Sequence, residues 1–220
     1  FLAVKVIWPQ LVKSERDRTR LADLFQEAKG IDGASLIKLG SVTESSDATF
    51  FTEEYFPSQS LRELIDEYQA ESRSFTLQEA CQIIVKVLEA VEVLHKAGTI
   101  HRNLKPENVL VSTRRTGPGG RSIVRTIKVS DGLLSDLVNP TIFAESYVSR
   151  ADAKYLAPEM TGFDDIGAPA TDIYSVGVML YELLVGQPPR GTYLSPTQLR
   201  GDLPEHIDDV IENALGESPE

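Results

Sequence analysis

The side chains able to do chemistry concentrate in residues 100–111, which read Ile-His-Arg-Asn-Leu-Lys-Pro-Glu-Asn-Val-Leu-Val. Two cations, Arg102 and Lys105, flank the amide Asn103, and a second amide, Asn108, follows within the same loop. Two further polar residues stand beside apolar runs: Lys5 within Ala3-Val4-Lys5-Val6-Ile7, and Asp131 just after the β-rich run 123–129. Lysine ammonium groups suit phosphate oxygens, and Asn and Asp oxygens suit a hard cation such as Mg²⁺. Asn103 is a neutral amide, which cannot take up a proton as a carboxylate does.

The rest of the chain supplies elements that can position these groups. Residues 1–8 form an apolar run that reads as a strand carrying Lys5. After the charged stretch 14–18, Leu21, Leu24, Phe25 and Ala28 follow helical spacing, with Gly30 and Gly33 expected to end the helix. Residues 36–42 and 49–56 predict two strands around the turn-rich 43–47, and Pro57-Ser58-Gln59 reads as a connector. Ser60-Leu61-Arg62-Glu63 and Thr76-Leu77-Gln78-Glu79 are capping boxes. The first opens a short polar helix. The second opens a long helix whose apolar face is Ala80, Ile83, Ile84, Val87, Leu88, Val91 and Leu94, ending near Lys96-Ala97-Gly98. Residues 113–122 predict an exposed hairpin tip, 131–159 a long loop, 171–185 a helix apolar almost all round and therefore buried, and 205–215 a terminal amphipathic helix. Strands first and helices afterwards predict an α+β protein with a small sheet lobe and a larger helical lobe.

Bulk properties exclude several function classes. A net charge of −11 argues against a nucleic-acid or anionic-membrane surface, both of which need a basic field. The single cysteine, Cys81, rules out an internal disulfide and is expected to be a small buried hydrophobe. The longest apolar stretch, 173–185, is too short to span a membrane and contains Glu182. A cytoplasmic setting is expected, with any membrane tether in other segments. The first residue falls inside a strand, so the chain is expected to be a piece of a larger protein.

Several blocks, in order, resemble the protein kinase superfamily. They are Ala3-Val4-Lys5-Val6-Ile7; the loop 100–111, which matches the catalytic loop except for Asn103 in place of Asp; Ser130-Asp131-Gly132-Leu133-Leu134-Ser135; Tyr155-Leu156-Ala157-Pro158-Glu159; and the helix from Asp172 to Leu184. The tail from Leu203 to Leu215 is similar to that of bacterial eukaryotic-like Ser/Thr kinases. The resemblance implies one kinase-like domain over 1–220 with a bilobal fold. Residues 1–56 would form a partial β-rich N-lobe, without the first strands and the Gly-rich loop, and 57–220 a mostly helical C-lobe. It implies ATP and Mg²⁺ as ligands. Lys5, Glu54, Phe56, Lys105, Asn108 and Asp131 would face the nucleotide, and Asn108 and Asp131 would hold the metal.

The departures fall on different parts of that machinery. Asn103 occupies the position of the catalytic base. Gly132 and Leu133 replace Phe and Gly of the metal-binding triplet, leaving Asp131 without the usual aromatic support. Asp152 stands where a Thr steadies the catalytic loop. The run Thr52-Glu53-Glu54-Tyr55-Phe56 places Glu53 at the back of the adenine pocket. A carboxylate buried there is costly unless a cation pairs with it. Lys5 is the candidate, which would take it from phosphate; a one-residue slip would instead leave Glu53 exposed. Asp23 and Glu27 are the candidate helix partners for Lys5. Only 190–202 stands where a substrate-docking helix is usual. Thr141, Ser146 and Ser149 supply loop hydroxyls, and Arg102 could pair with a phosphate on one of them. Together these features predict a catalytically impaired pseudokinase that acts as a regulatory or scaffolding module, binding a protein partner or other domains of its own chain. The alternative is an active or weakly active Ser/Thr protein kinase.

Overall fold

The computed structural model describes residues 1–7, 12, 14–45, 48–115, 117, 122–132, 153–161 and 167–216. The first part of the chain builds a three-stranded antiparallel sheet in the order β1-β3-β2, from β1 (Leu2–Ile7), β2 (Leu39–Glu44) and β3 (Thr49–Glu54). Helix α1 (Glu15–Ala28) packs on it. Ser14 accepts from the Asp17 amide while the Asp17 side chain accepts from the Ser14 amide, a capping box that starts α1. The buried face of α1 is Leu21, Phe25 and Ala28, while Leu24, the fourth residue of the helical series expected from the sequence, is only half-buried. Leu21 and Phe25 join Ile7 and Phe51 in a small apolar core. β2 begins at Leu39, not at residue 36, because Leu36 instead bridges to Val129 in the second part of the chain.

The second part is mostly helical, around a second three-stranded sheet of β4 (Gln59–Ser60), β5 (Val109–Arg115) and β6 (Ser122–Val129). Both capping boxes form, Ser60 opening α2 (Leu61–Ala70) and Thr76 opening α3 (Leu77–Lys96). α4 (Pro169–Val185) is buried almost all round, as its composition requires. The short α5 (Pro196–Leu199) occupies the 190–202 region, and α6 (His206–Ala214) packs on α4. At that contact Gly177 of α4 has no room for a side chain, since a Cβ would lie 2.7 Å from the Ala214 Cβ.

Two expectations about α3 are corrected. Cys81 is exposed rather than buried. Leu88 is 37% exposed and lies on an open face with Val85 and Ile173. The helix buries Ala80, Ile83, Ile84, Val87, Ala90, Val91 and Leu94, a stripe that leaves positions 81, 85 and 88 on its other side. None of the described helices is long and apolar enough to cross a membrane.

The two parts are joined by backbone as well as side chains. The Ile37 amide donates to the Val129 carbonyl at 3.0 Å, and the Val129 amide donates to Ser35 at 2.8 Å. Lys128 of β6 reaches back to Glu54 at 2.7 Å and to the Leu36 carbonyl at 3.2 Å.

Candidate functional site

The loop 100–108 is held from below by one buried carboxylate. Asp172, at the start of α4, is fully buried and accepts from the amides of His101 (2.9 Å) and Arg102 (2.8 Å), and His95 Nε2 lies 2.7 Å from it. This clamp accompanies a left-handed backbone at Arg102, with φ of 58°. His101 is fully buried. Its Nδ1 accepts from the Asn103 amide at 3.3 Å, so Nε2 carries the proton donated to the Ser130 carbonyl at 2.9 Å. Burial holds the imidazole below its ordinary pKa, against the pull of Asp172. The neutral ring therefore ties the loop to the segment bearing Asp131.

Asn108 is buried, and its Nδ2 donates to the Asn103 carbonyl at 2.9 Å. That bond orients the amide, so its oxygen end is the one a cation would meet. The Ser130 amide donates to the Asn108 carbonyl at 2.9 Å, which fixes Asn108 beside the Asp131 segment. Asn108 and Asp131 offer two hard oxygen donors, a set that fits Mg²⁺, which commonly takes one or two protein ligands and completes its shell with phosphate and water. Among the described residues no group of three or more His, Cys, Asp or Glu side chains offers a metal site.

Across the cleft, Lys5 settles the two readings of Glu53. Lys5 Nζ lies 3.1 Å from Glu53 Oε1 and 2.5 Å from Asp131 Oδ1. Glu53 is 4% exposed, so the slip that would have turned it outward does not occur. Strand register explains the contact. In the β1–β3 pair Lys5 stands opposite Phe51 and Ala3 opposite Glu53, so all four share one sheet face. Ala3 is small, and the Glu53 side chain reaches the diagonal neighbour Lys5. Burial disfavours the Lys5 ammonium, but the carboxylates of Asp131 and Glu53 outweigh it and raise the Lys5 pKa. Burial raises the Glu53 pKa, and Lys5 offsets this only in part. Asp23 and Glu27 on α1 are exposed and are not the partners of Lys5.

The remaining candidates are placed as follows. The Glu54 side chain turns to Lys128, and Lys128 Nζ also lies 5.8 Å from the Phe56 ring centre. Lys105 precedes the 3₁₀ turn Pro106–Asn108 and is part-buried. Asp131 adopts a left-handed φ of 65° and is held by Lys5, so the missing aromatic at 132 does not leave it unsupported. A Cβ at Gly132 would come within 3.0 Å of Leu94 Cδ1 and 3.4 Å of His101 Cδ2, so the neighbours have closed over this position. A cavity of about 30 Å³ remains beside it, lined by Phe25, Phe51, Leu94 and Val129 among others. Leu133, Thr141, Ser146, Ser149 and Asp152 lie outside the described residues. Sequence reasoning missed Lys128 as the partner of Glu54 and Arg62 as the partner of Glu182. Each pair is far apart in sequence, so no local pattern links its two members.

A two-lobed α+β body, a clamped loop with paired amides, and a Lys–Asp contact across the cleft define the protein kinase fold. The chain belongs to the protein kinase family, whose protein kinase domain matches residues 1–207. Among its relatives, the serine/threonine-protein kinase PknB of Mycobacterium leprae is 25% identical, over 100% of this chain and 36% of that protein. The probable serine/threonine-protein kinase PknB of Corynebacterium glutamicum is 32% identical, over 86% of this chain and 28% of that protein. The crystal structure of the Mycobacterium tuberculosis PknI kinase domain superposes with a TM-score of 0.72 at 19% identity, covering 99% of this chain and 77% of that one, which speaks to the fold alone. The chain spans about a third of the length of these PknB relatives.

Proposed function

We propose that this kinase domain is a transfer-impaired regulatory or scaffolding module, a pseudokinase, which retains a cleft for ATP and Mg²⁺. The observation that carries this reading is Asn103: a neutral amide stands where the loop needs its proton acceptor, and loss of a general base lowers rate by about 10²–10⁴. In this reading Lys5 and Lys105 face the phosphates, Asn108 and Asp131 the cation, and Glu54 and Phe56 the base. Residues 1–56 and 57–220 act as the two lobes of one unit within a larger protein. Its partner is another protein or another domain of the same chain, in a cytoplasmic setting, and the net charge of −11 speaks against nucleic acid or membrane contact.

A second reading, a weakly active Ser/Thr protein kinase, is favoured by the assembled Lys5–Asp131 pair and the oriented Asn108 amide, and by the kinase names of the relatives. The two separate in a phosphotransfer assay on the full-length protein beside its Asn103→Asp variant. The pseudokinase reading expects transfer in the unmodified protein about 10²–10⁴ below that of a base-restored loop. Robust transfer by the unmodified protein sinks it. A Mg²⁺-dependent thermal shift with ATP tests whether the cleft holds nucleotide.

A further inference from the structure

The back of the cleft holds two carboxylates and one ammonium within direct contact. Lys5 donates to Asp131 at 2.5 Å and lies 3.1 Å from Glu53. The second oxygen of Glu53, Oε2, is buried and has no hydrogen-bond partner among the described residues. A buried acid left half-satisfied is costly, and the neighbours do not relieve it: the opposing residue is Ala3, and the nearest cation is already shared. Glu53 thus adds negative charge at the back of the cleft and holds Lys5, one of the two cations proposed to meet the phosphates.

We propose that Glu53 is a latch on the cleft: by holding Lys5 it suppresses binding of a nucleoside triphosphate, and removing its charge strengthens that binding. The proposal rests on the reading that the cleft takes nucleotide. Were Asp131 to hold a cation such as Mg²⁺, Lys5 would still keep Glu53 as a partner, so metal binding by itself would not free the ammonium for phosphate. Binding then requires the Lys5–Glu53 contact to break or stretch. Its cost appears as weakened affinity, because the competent state is only a fraction of the population. Asp131 is a proposed metal ligand, whereas Glu53 adds nothing to metal binding that the geometry shows. Its effect is therefore exerted through Lys5, as a positioning residue.

The test is calorimetric titration of the full-length protein with ATP, with Mg²⁺ and separately with EDTA. Unmodified protein is compared with Glu53→Gln, Glu53→Met, and Glu53→Gln combined with Lys5→Met. Thermal unfolding confirms that each variant folds, and the Met variant carries the test if the Gln variant does not. The expected result is at least about tenfold tighter MgATP binding on neutralising Glu53, with the gain lost when Lys5 is also removed. A folded Glu53 variant that binds no tighter than the unmodified protein overturns the latch, while binding by the unmodified protein keeps the nucleotide reading. Absence of binding in every folded variant at millimolar ATP overturns both. A gain that survives Lys5→Met overturns the latch through Lys5, since the effect would then be one of cleft charge alone.

Discussion

His101 shows how one neutral side chain supports the site. It accepts through Nδ1 and donates through Nε2, a pattern that only the uncharged ring can satisfy. Its folded pKa lies below the ordinary 6.5, because burial disfavours the cation. The unfolded chain therefore takes up a proton as pH falls through about 6.5 that the folded protein refuses. Stability from this group is complete above that value and is lost as pH falls below it. The unfolding midpoint is expected to drop between about pH 8 and about pH 5.5, and His101→Gln should flatten that dependence while lowering the midpoint at neutral pH. An identical pH slope in the variant would show that the buried imidazole is not its source.

The Arg62 guanidinium fastens helix α2 to α4. Arg62 donates to both oxygens of Glu182, at 3.0 and 3.1 Å, and to Glu107 at 3.1 Å, and it contacts the Tyr155 hydroxyl. Glu182 is 2% exposed, so this is a buried pair with one partner already desolvated. Burial works against the Arg62 cation, yet the Glu182 carboxylate more than compensates and raises its pKa. Burial and the same carboxylate raise the Tyr155 hydroxyl, which stays protonated. Arg62→Ala would strand the Glu182 charge in the core. The expected loss is about 3–5 kcal/mol in urea denaturation. Arg62→Lys is expected to recover only part of it, because an ammonium lacks the planar fork that meets two carboxylate oxygens at once. Full recovery by Lys would mean the geometry of the fork is unimportant.

Between the two lobes, Lys128 is nearly buried and bridges Glu54 and the Leu36 carbonyl, beside the backbone pairing of 35–37 with Val129. These links cross from a small apolar core to a large one. Lys128→Met is expected to cost about 1.5–3 kcal/mol, the range for a hydrogen bond to a charged group. The urea midpoint should fall while the slope stays unchanged, because the backbone pairing still makes the lobes unfold together. A second transition, or a reduced slope, would show that Lys128 is what joins them.

Local patterns were enough for most elements. The two capping boxes, the helical stripes of α1 and α3, and the all-round apolar α4 each carry their own periodicity, and the motif blocks named the family. Burial at single positions was less legible. Cys81 and Leu88 are apolar enough for either face of α3, and only the neighbours that pack on the helix decide which side is covered. For Glu53, sequence alone left open whether it faced solvent or Lys5. The choice depended on the strand register, which moves every side chain to the other face when it shifts by one residue. Asn103 was legible as a neutral amide from its identity alone, since an amide cannot take up a proton in any fold. What only the tertiary structure decided was who holds Lys5. Glu53 and Asp131 lie 48 and 126 residues away along the chain, and an ion pair at that separation has no local signature.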